Sequence, residues 1–165
     1  MNEIYFCHPG KENEIKPKIL SDIANARSRV LCAMAFSSDN DIADAILKQD
    51  IPDKRVILNN ADFHREGNQT AKKIFYELDC MRLGTYSNMK NPSHMHNKIL
   101  VCDDCVWIGS YNFTSFASSM NWENMLRIDQ KDIVDKVVSE FETMWLYSRI
   151  IKNKLEGAKC VECGK

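Results

Sequence analysis

The chain has 165 residues, 44% of them hydrophobic and 27% charged, which is the length and mixture of one ordinary globular domain. Lys and Arg number 22 against 23 Asp and Glu. That balance excludes a globally basic nucleic-acid sleeve or a polybasic membrane anchor, and leaves room for a local cationic patch.

The elements predicted along the chain alternate between two periods. Ile4 to Cys7 reads as a short strand, closed by His8-Pro9-Gly10, where Pro and Gly break regular pairing. Ile15, Ile19 and Ile23 recur every four residues and predict an amphipathic helix that tolerates Pro17 only in its first turn. Val30 to Phe36 is a continuous apolar run of strand length, as in a strand covered on both faces. It is also the longest such run, far short of the ~20 residues of a membrane-spanning helix. Ser37-Ser38-Asp39 supplies caps for a helix through Ile42, Ala45 and Ile46. Arg55 to Leu58 is a strand, Ala71 to Leu78 has helical spacing, and Met81 to Thr85 resembles a strand. After a polar loop, Ser87 to Ser93, strands are expected near His96–Cys102, Val106–Gly109 and Asn124–Ile128. Ile133, Val137, Phe141, Trp145 and Ser148 mark a last, long helix. Such alternation predicts an α/β fold: a mixed, mostly parallel central sheet with helices on both faces. The expected organisation is one domain over residues 1–155 and a polar tail over 156–165 that carries a Cys-x-x-Cys pair.

Seven cysteines are an odd count, several lie inside apolar runs, and Met1 to Tyr5 shows neither the basic stretch nor the long apolar stretch expected of a secretion signal. A reducing, cytoplasmic setting is the expectation.

The chemistry concentrates in His94-Met-His-Asn-Lys-Ile-Leu-Val-Cys-Asp103, followed by Gly109-Ser-Tyr-Asn-Phe-Thr114. On a strand, His96 and Lys98 share a face because side chains alternate. Asp103-Asp104 signals a turn, and Val106 returns as the partner strand. With a three-residue connection, His96 would lie opposite Asn112 and Lys98 opposite Ser110. An imidazole, which can attack or carry protons, would then stand among three donors able to hold an anion. Such a cluster is a phosphate site with a reactive group inside it.

His96-x-Lys98, then four residues and Asp103, followed by Gly109-Ser110-x-Asn112, resembles the HKD signature of the phospholipase D superfamily. Glu123-Asn124 lies where that family carries a carboxylate beside its histidine, and Phe141 to Trp145 matches the aromatic pair of its last helix. The similarity spans roughly residues 3 to 146, and is greatest to small single-signature bacterial endonucleases and their mitochondrial-surface relatives. It implies phosphodiester hydrolysis without metal or cofactor. His96 would form a phosphohistidine, Lys98 and Asn112 would hold phosphate oxygens with Ser110 assisting, and Glu123 would orient His96. Asp103 completes the signature but falls at the far strand end, which suggests a structural role. One histidine copy only is present, since His8, His64 and His94 have no Lys two residues on. The chemistry wants a second imidazole, so a homodimer sharing one site is expected.

A nuclease acting on DNA or RNA is the leading reading. Hydrolysis of a cardiolipin-type phospholipid is the alternative, and a nucleic-acid-binding module without turnover the second alternative. Arg65, Lys90 and Lys98 are candidates to line a cleft for an anionic polymer, whereas Lys72 and Lys73 read as solvated. His94-x-His96 read as half of a metal site has no carboxylate cluster beside it, and His94 fits a loop at the cleft edge. Cys160 and Cys163 have zinc-knuckle spacing, with Cys7 and His8 as conceivable partners, but a passive tail is the simpler expectation.

Overall fold

The computed structural model describes residues 2–60, 68–84 and 93–163. In chain order the elements are β1 (Glu3–Cys7), α1 (Ile15–Asn25), β2 (Arg29–Met34), α2 (Asn40–Lys48) and β3 (Asp53–Asn59). They continue as α3 (Gln69–Glu77), β4 (Asp79–Leu83), β5 (Lys98–Cys102), β6 (Cys105–Gly109), α4 (Ser115–Ser119), β7 (Glu123–Ile128) and α5 (Lys131–Cys163).

Short polar side chains set the helix starts. Asn13 accepts from the amides of Ile15 and Lys16 at 3.0 and 3.2 Å, so Pro17 sits in a first turn where its missing N–H costs nothing. Asp39 caps α2 by accepting from Asp41 and Ile42, and Asn68 caps α3 by accepting from Ala71 at 3.1 Å. The expected start of the last helix agrees, but it runs on to Cys163, so the backbone of residues 156–163 is helical.

The strands form one seven-stranded sheet in the order β1-β7-β6-β5-β2-β3-β4. It is mixed, as expected, but not mostly parallel. Only β2–β3 and β3–β4 pair in parallel, while β1–β7, β7–β6, β6–β5 and β5–β2 are antiparallel. The reason is connectivity: helical crossovers make β2, β3 and β4 parallel neighbours, whereas β5 and β6 join by a tight hairpin and β7 enters between β6 and β1, antiparallel to both.

Alternation along the strands splits the core in two. Val30, Cys32 and Met34 face one way with Leu100, Cys102 and Trp107, packing on Ile15, Ile19 and Ile23 of α1 and Ile42 and Ile46 of α2. Leu31, Ala33, Ile57, Val101 and Val106 face the other way, under Phe141, Met144 and Trp145 of α5. Full burial on both faces explains why β2 reads as an unbroken apolar run. Phe141 and Trp145 are 6.1 Å apart, and the Arg55 guanidinium lies over both rings at 5.5 and 5.3 Å. Arg55 also pairs with Asp53 and Glu142, so this aromatic pair is a structural clasp between β3 and α5.

β1, β2, β3, β4 and β6 end at one edge of the sheet, where β5 and β7 begin. That edge, the carboxyl end of most strands, is where open α/β sheets place their ligand crevices.

Candidate active site

His96 precedes β5 rather than lying within it. Its neighbour Met95 is buried, His96 itself is exposed, and Lys98 begins the strand at 7% exposure. The Lys98 Nζ nevertheless returns to the histidine: it lies 3.1 Å from Nδ1 and 3.2 Å from Nε2, and donates to the His96 carbonyl at 2.7 Å. Burial pushes the Lys98 pKa down, and the negative charge of Glu123 works in the opposite direction. The ammonium is thus poorly solvated and in need of anionic oxygen, which a phosphodiester supplies.

The hairpin joining β5 to β6 is one residue shorter than expected. Cys102 pairs with Cys105 and Ile99 with Ile108, so only Asp103 and Asp104 form the turn. Asp103 takes φ +48°, the left-handed conformation such a two-residue turn requires. The shift moves each partner by one position, bringing Lys98 level with Gly109 rather than Ser110, and His96 level with Tyr111 rather than Asn112.

Gly109 is needed for close approach. A Cβ there would stand 2.2 Å from the carbonyl oxygen of Asn124 on β7, so no other residue fits without moving backbone. Ser110 then locks to β7: its amide donates to the Asn124 carbonyl and its Oγ accepts from the Asn124 amide, both at 3.0 Å. The same hydroxyl donates to the Glu123 carboxylate, and Asn121 donates to the other Glu123 oxygen at 3.0 Å. Glu123 is therefore engaged with Ser110 and Asn121. Among the described residues it makes no hydrogen bond to His96, and it influences Lys98 through charge alone.

Asn112 is oriented by the backbone. Its Oδ1 accepts from the Phe36 amide at 3.2 Å, so the NH₂ end of the amide keeps its donors for a ligand. The segment is stitched to the end of β2, where Phe113 donates to the Phe36 carbonyl and accepts from the amides of Ser38 and Asp39. Lys98, Ser110, Asn112 and Glu123 thus meet at one end of the sheet with His96.

Asp103 is at the other end. Its carboxylate accepts from the Arg27, Ser28 and Arg29 amides and the Ser28 hydroxyl at 2.7 to 3.0 Å. Burial works upward on its pKa, but these donors win, above all the Ser28 hydroxyl, and hold it at about 2. The third letter of the signature ties the turn to the start of β2.

His94 bridges to Gly84 and, with His96 and Tyr147, lines a cavity of about 420 Å³ beside the site. Cys7 is buried and donates to the Ala117 carbonyl at 3.1 Å, while His8 stacks on Trp122. Arg65 and Lys90 fall outside the described residues. Lys73 pairs with Asp44 on the surface. Nothing in the sequence pattern marks Asn121; only the fold places it against Glu123.

A family model described as "Cardiolipin synthase, PLD-like domain" matches residues 19–145. The chain belongs to the phospholipase D-like family. Among solved structures, this phospholipase D-like chain is similar to NucT from Helicobacter pylori, with a TM-score of 0.78 at 24% identity, covering 90% of this chain and 96% of that one. It is similar to Nuc from Salmonella typhimurium, described as a phospholipase D family member, with a TM-score of 0.68 at 18% identity, covering 88% and 95%. Phosphatidylserine synthase from Haemophilus influenzae gives 0.60 at 12% identity, covering 98% of this chain and 46% of that one. No curated protein matches the sequence. At these identities the matches establish the fold. No helix among the described residues is long and apolar enough to cross a membrane.

Proposed function

We propose that this phosphodiesterase-like chain is a metal-independent nuclease that cleaves DNA or RNA through a phosphohistidine on His96, at a site shared by two subunits. The observation that carries the reading is the Lys98 ammonium, 7% exposed and 3.1 Å from the His96 ring. A buried cation against an exposed imidazole is a poor structural pair, because burial penalises the charge, but it is a good receptor for a phosphoryl group.

In the first step a His96 ring nitrogen attacks phosphorus and the bond to one ester oxygen breaks. Lys98 turns to the non-bridging oxygens, with the Asn112 amide as a second donor, where negative charge accumulates. The Ser110–Glu123 pair holds that donor wall rigid. The leaving oxygen takes a proton from a second imidazole, the His96 of the partner. In the second step that imidazole removes a proton from water, oxygen bonds to phosphorus, and the P–N bond breaks. A phosphomonoester leaves and both histidines are restored. One His-x-Lys copy per chain is why the site needs two chains.

The test is incubation of purified protein with single-stranded DNA, duplex DNA, RNA and cardiolipin, each with EDTA present. Nucleic-acid cleavage that survives chelation and falls at least about 10³-fold in His96→Ala is expected. Cleavage restored only by added divalent metal, or confined to cardiolipin, overturns the proposal.

A further inference from the structure

β1 and β7 pair antiparallel with Cys7 opposite Glu123, so one step beyond the strands His8 faces Trp122. Their rings lie 4.2 Å apart at 11°, a parallel stack. Trp122 is 77% exposed, whereas Trp107 is fully buried and Trp145 is 6% exposed. An indole left in water forgoes the burial that usually stabilises it, so packing does not explain this one. Phe6, two residues before His8 on the same face of β1, is 48% exposed. Together with Lys11, Glu123 and Asn124 these rings line an open cavity of about 490 Å³.

The cavity shares a wall with the active site. Glu123 lines it and also receives the Ser110 hydroxyl. Its charge reaches both ways, acting on Lys98 in the site and on Cys7 at the cavity floor. The platform also stands at the same end of the sheet as His96. A ligand spanning both places must join a phosphodiester to something flat and polarisable, with room for another anionic group at Lys11. Aromatic rings interrupted by Lys11, Glu123 and Asn124 do not make the continuous apolar surface that a protein partner would cover.

We propose that Trp122 and His8 form a stacking subsite for an unpaired nucleobase next to the scissile phosphate, with Lys11 contacting the neighbouring phosphate. The inference rests on the nuclease reading above and adds a substrate determinant to it. In a duplex both faces of each base are already covered by neighbours, so only an unpaired base can lie on the indole. The subsite thus favours single-stranded substrate without reading sequence, because every base offers a π face.

The experiment uses oligothymidylates with a single cleavable phosphodiester, the other linkages being uncharged, and either thymine or no base on the nucleotides flanking it. The readout is the ratio of kcat/KM for the two substrates. Wild type is expected to prefer the base-bearing substrate by about 5- to 150-fold, the range of one base–aromatic stack. In Trp122→Ala the ratio should fall towards one, and the variant should fold because the side chain it loses is exposed. In His96→Ala, which retains Trp122, binding of oligothymidylate should quench the solvent-accessible tryptophan emission. A ratio unchanged by Trp122→Ala while wild type cleaves both substrates overturns the platform alone. Failure of wild type to cleave either of them or the matching oligouridylates overturns the nuclease reading and the platform with it.

Discussion

Replacing Asp103 should cost stability and leave chemistry nearly intact, although it is the third letter of the HKD signature. The carboxylate holds three backbone amides and one hydroxyl at 2.7 to 3.0 Å, all from residues 27–29. Hydrogen bonds to a charged group are worth ~1.5–3 kcal/mol each. The turn is partly exposed, however, and water can replace a lost partner, so about 0.5–1 kcal/mol each is the fairer figure. Four bonds give about 2–4 kcal/mol. Ala also resists the φ of +48°, at a further cost of ~1–2 kcal/mol. Asp103→Ala should therefore lower unfolding free energy by about 3–6 kcal/mol, and Asp103→Asn, which tolerates that φ and keeps one acceptor, by about 1–2 kcal/mol. Five residues of strand at ~3.3 Å each put about 16 Å between Asp103 and Lys98. Turnover of folded Asp103→Asn should accordingly stay within about threefold of wild type, because a group so distant touches no reacting atom. The pH dependence has a fixed sign. A carboxyl near 2 when folded and ~3.9 when unfolded stabilises fully above about pH 4, and that contribution is lost as pH falls through 2. The gap between wild type and Asp103→Asn should then shrink on acidification. Urea unfolding at pH 7 and pH 3, with phosphodiesterase assays well below the transition, provides the measurements. Wild-type stability in Asp103→Asn combined with a loss of turnover beyond tenfold would refute the reasoning and place the carboxylate in the chemistry.

Lys98→Met should abolish turnover yet leave the thermal midpoint equal to or above that of wild type, since it exchanges a desolvated ammonium for an apolar side chain of similar reach. A large drop in melting temperature would show that Lys98 supports the fold instead. Mixing wild-type with His96→Ala chains should give inactive heterodimers, with a sedimenting species near 38 kDa, twice the 19.0 kDa chain. Activity proportional to the wild-type fraction would sink the shared site.

Several features were legible in the sequence because they are local. Periods of two and four assigned most strands and helices, and the spacing His96-x-Lys98 put an ammonium on the same side as an imidazole. Ser110 and Asn112 were legible from the expected hairpin pairing, whereas Glu123 was legible only through a family pattern, since it gains meaning from strands that meet across the sheet. Other features needed the tertiary structure. Closing the hairpin at Asp103 with φ +48° moved every β6 partner of β5 by one residue, because register follows turn length and a single residue changes all of it. The antiparallel majority depended on which edges the later strands found. Glu123 was expected beside His96, but β6–β7 pairing presents Ser110 to it first, at hydrogen-bonding distance. Trp122 and His8 are 114 positions apart, and only the β1–β7 pairing makes them neighbours. Local spacing fixes which face a side chain takes, whereas long-range pairing decides which other faces it meets, and the proposed chemistry depends on those meetings.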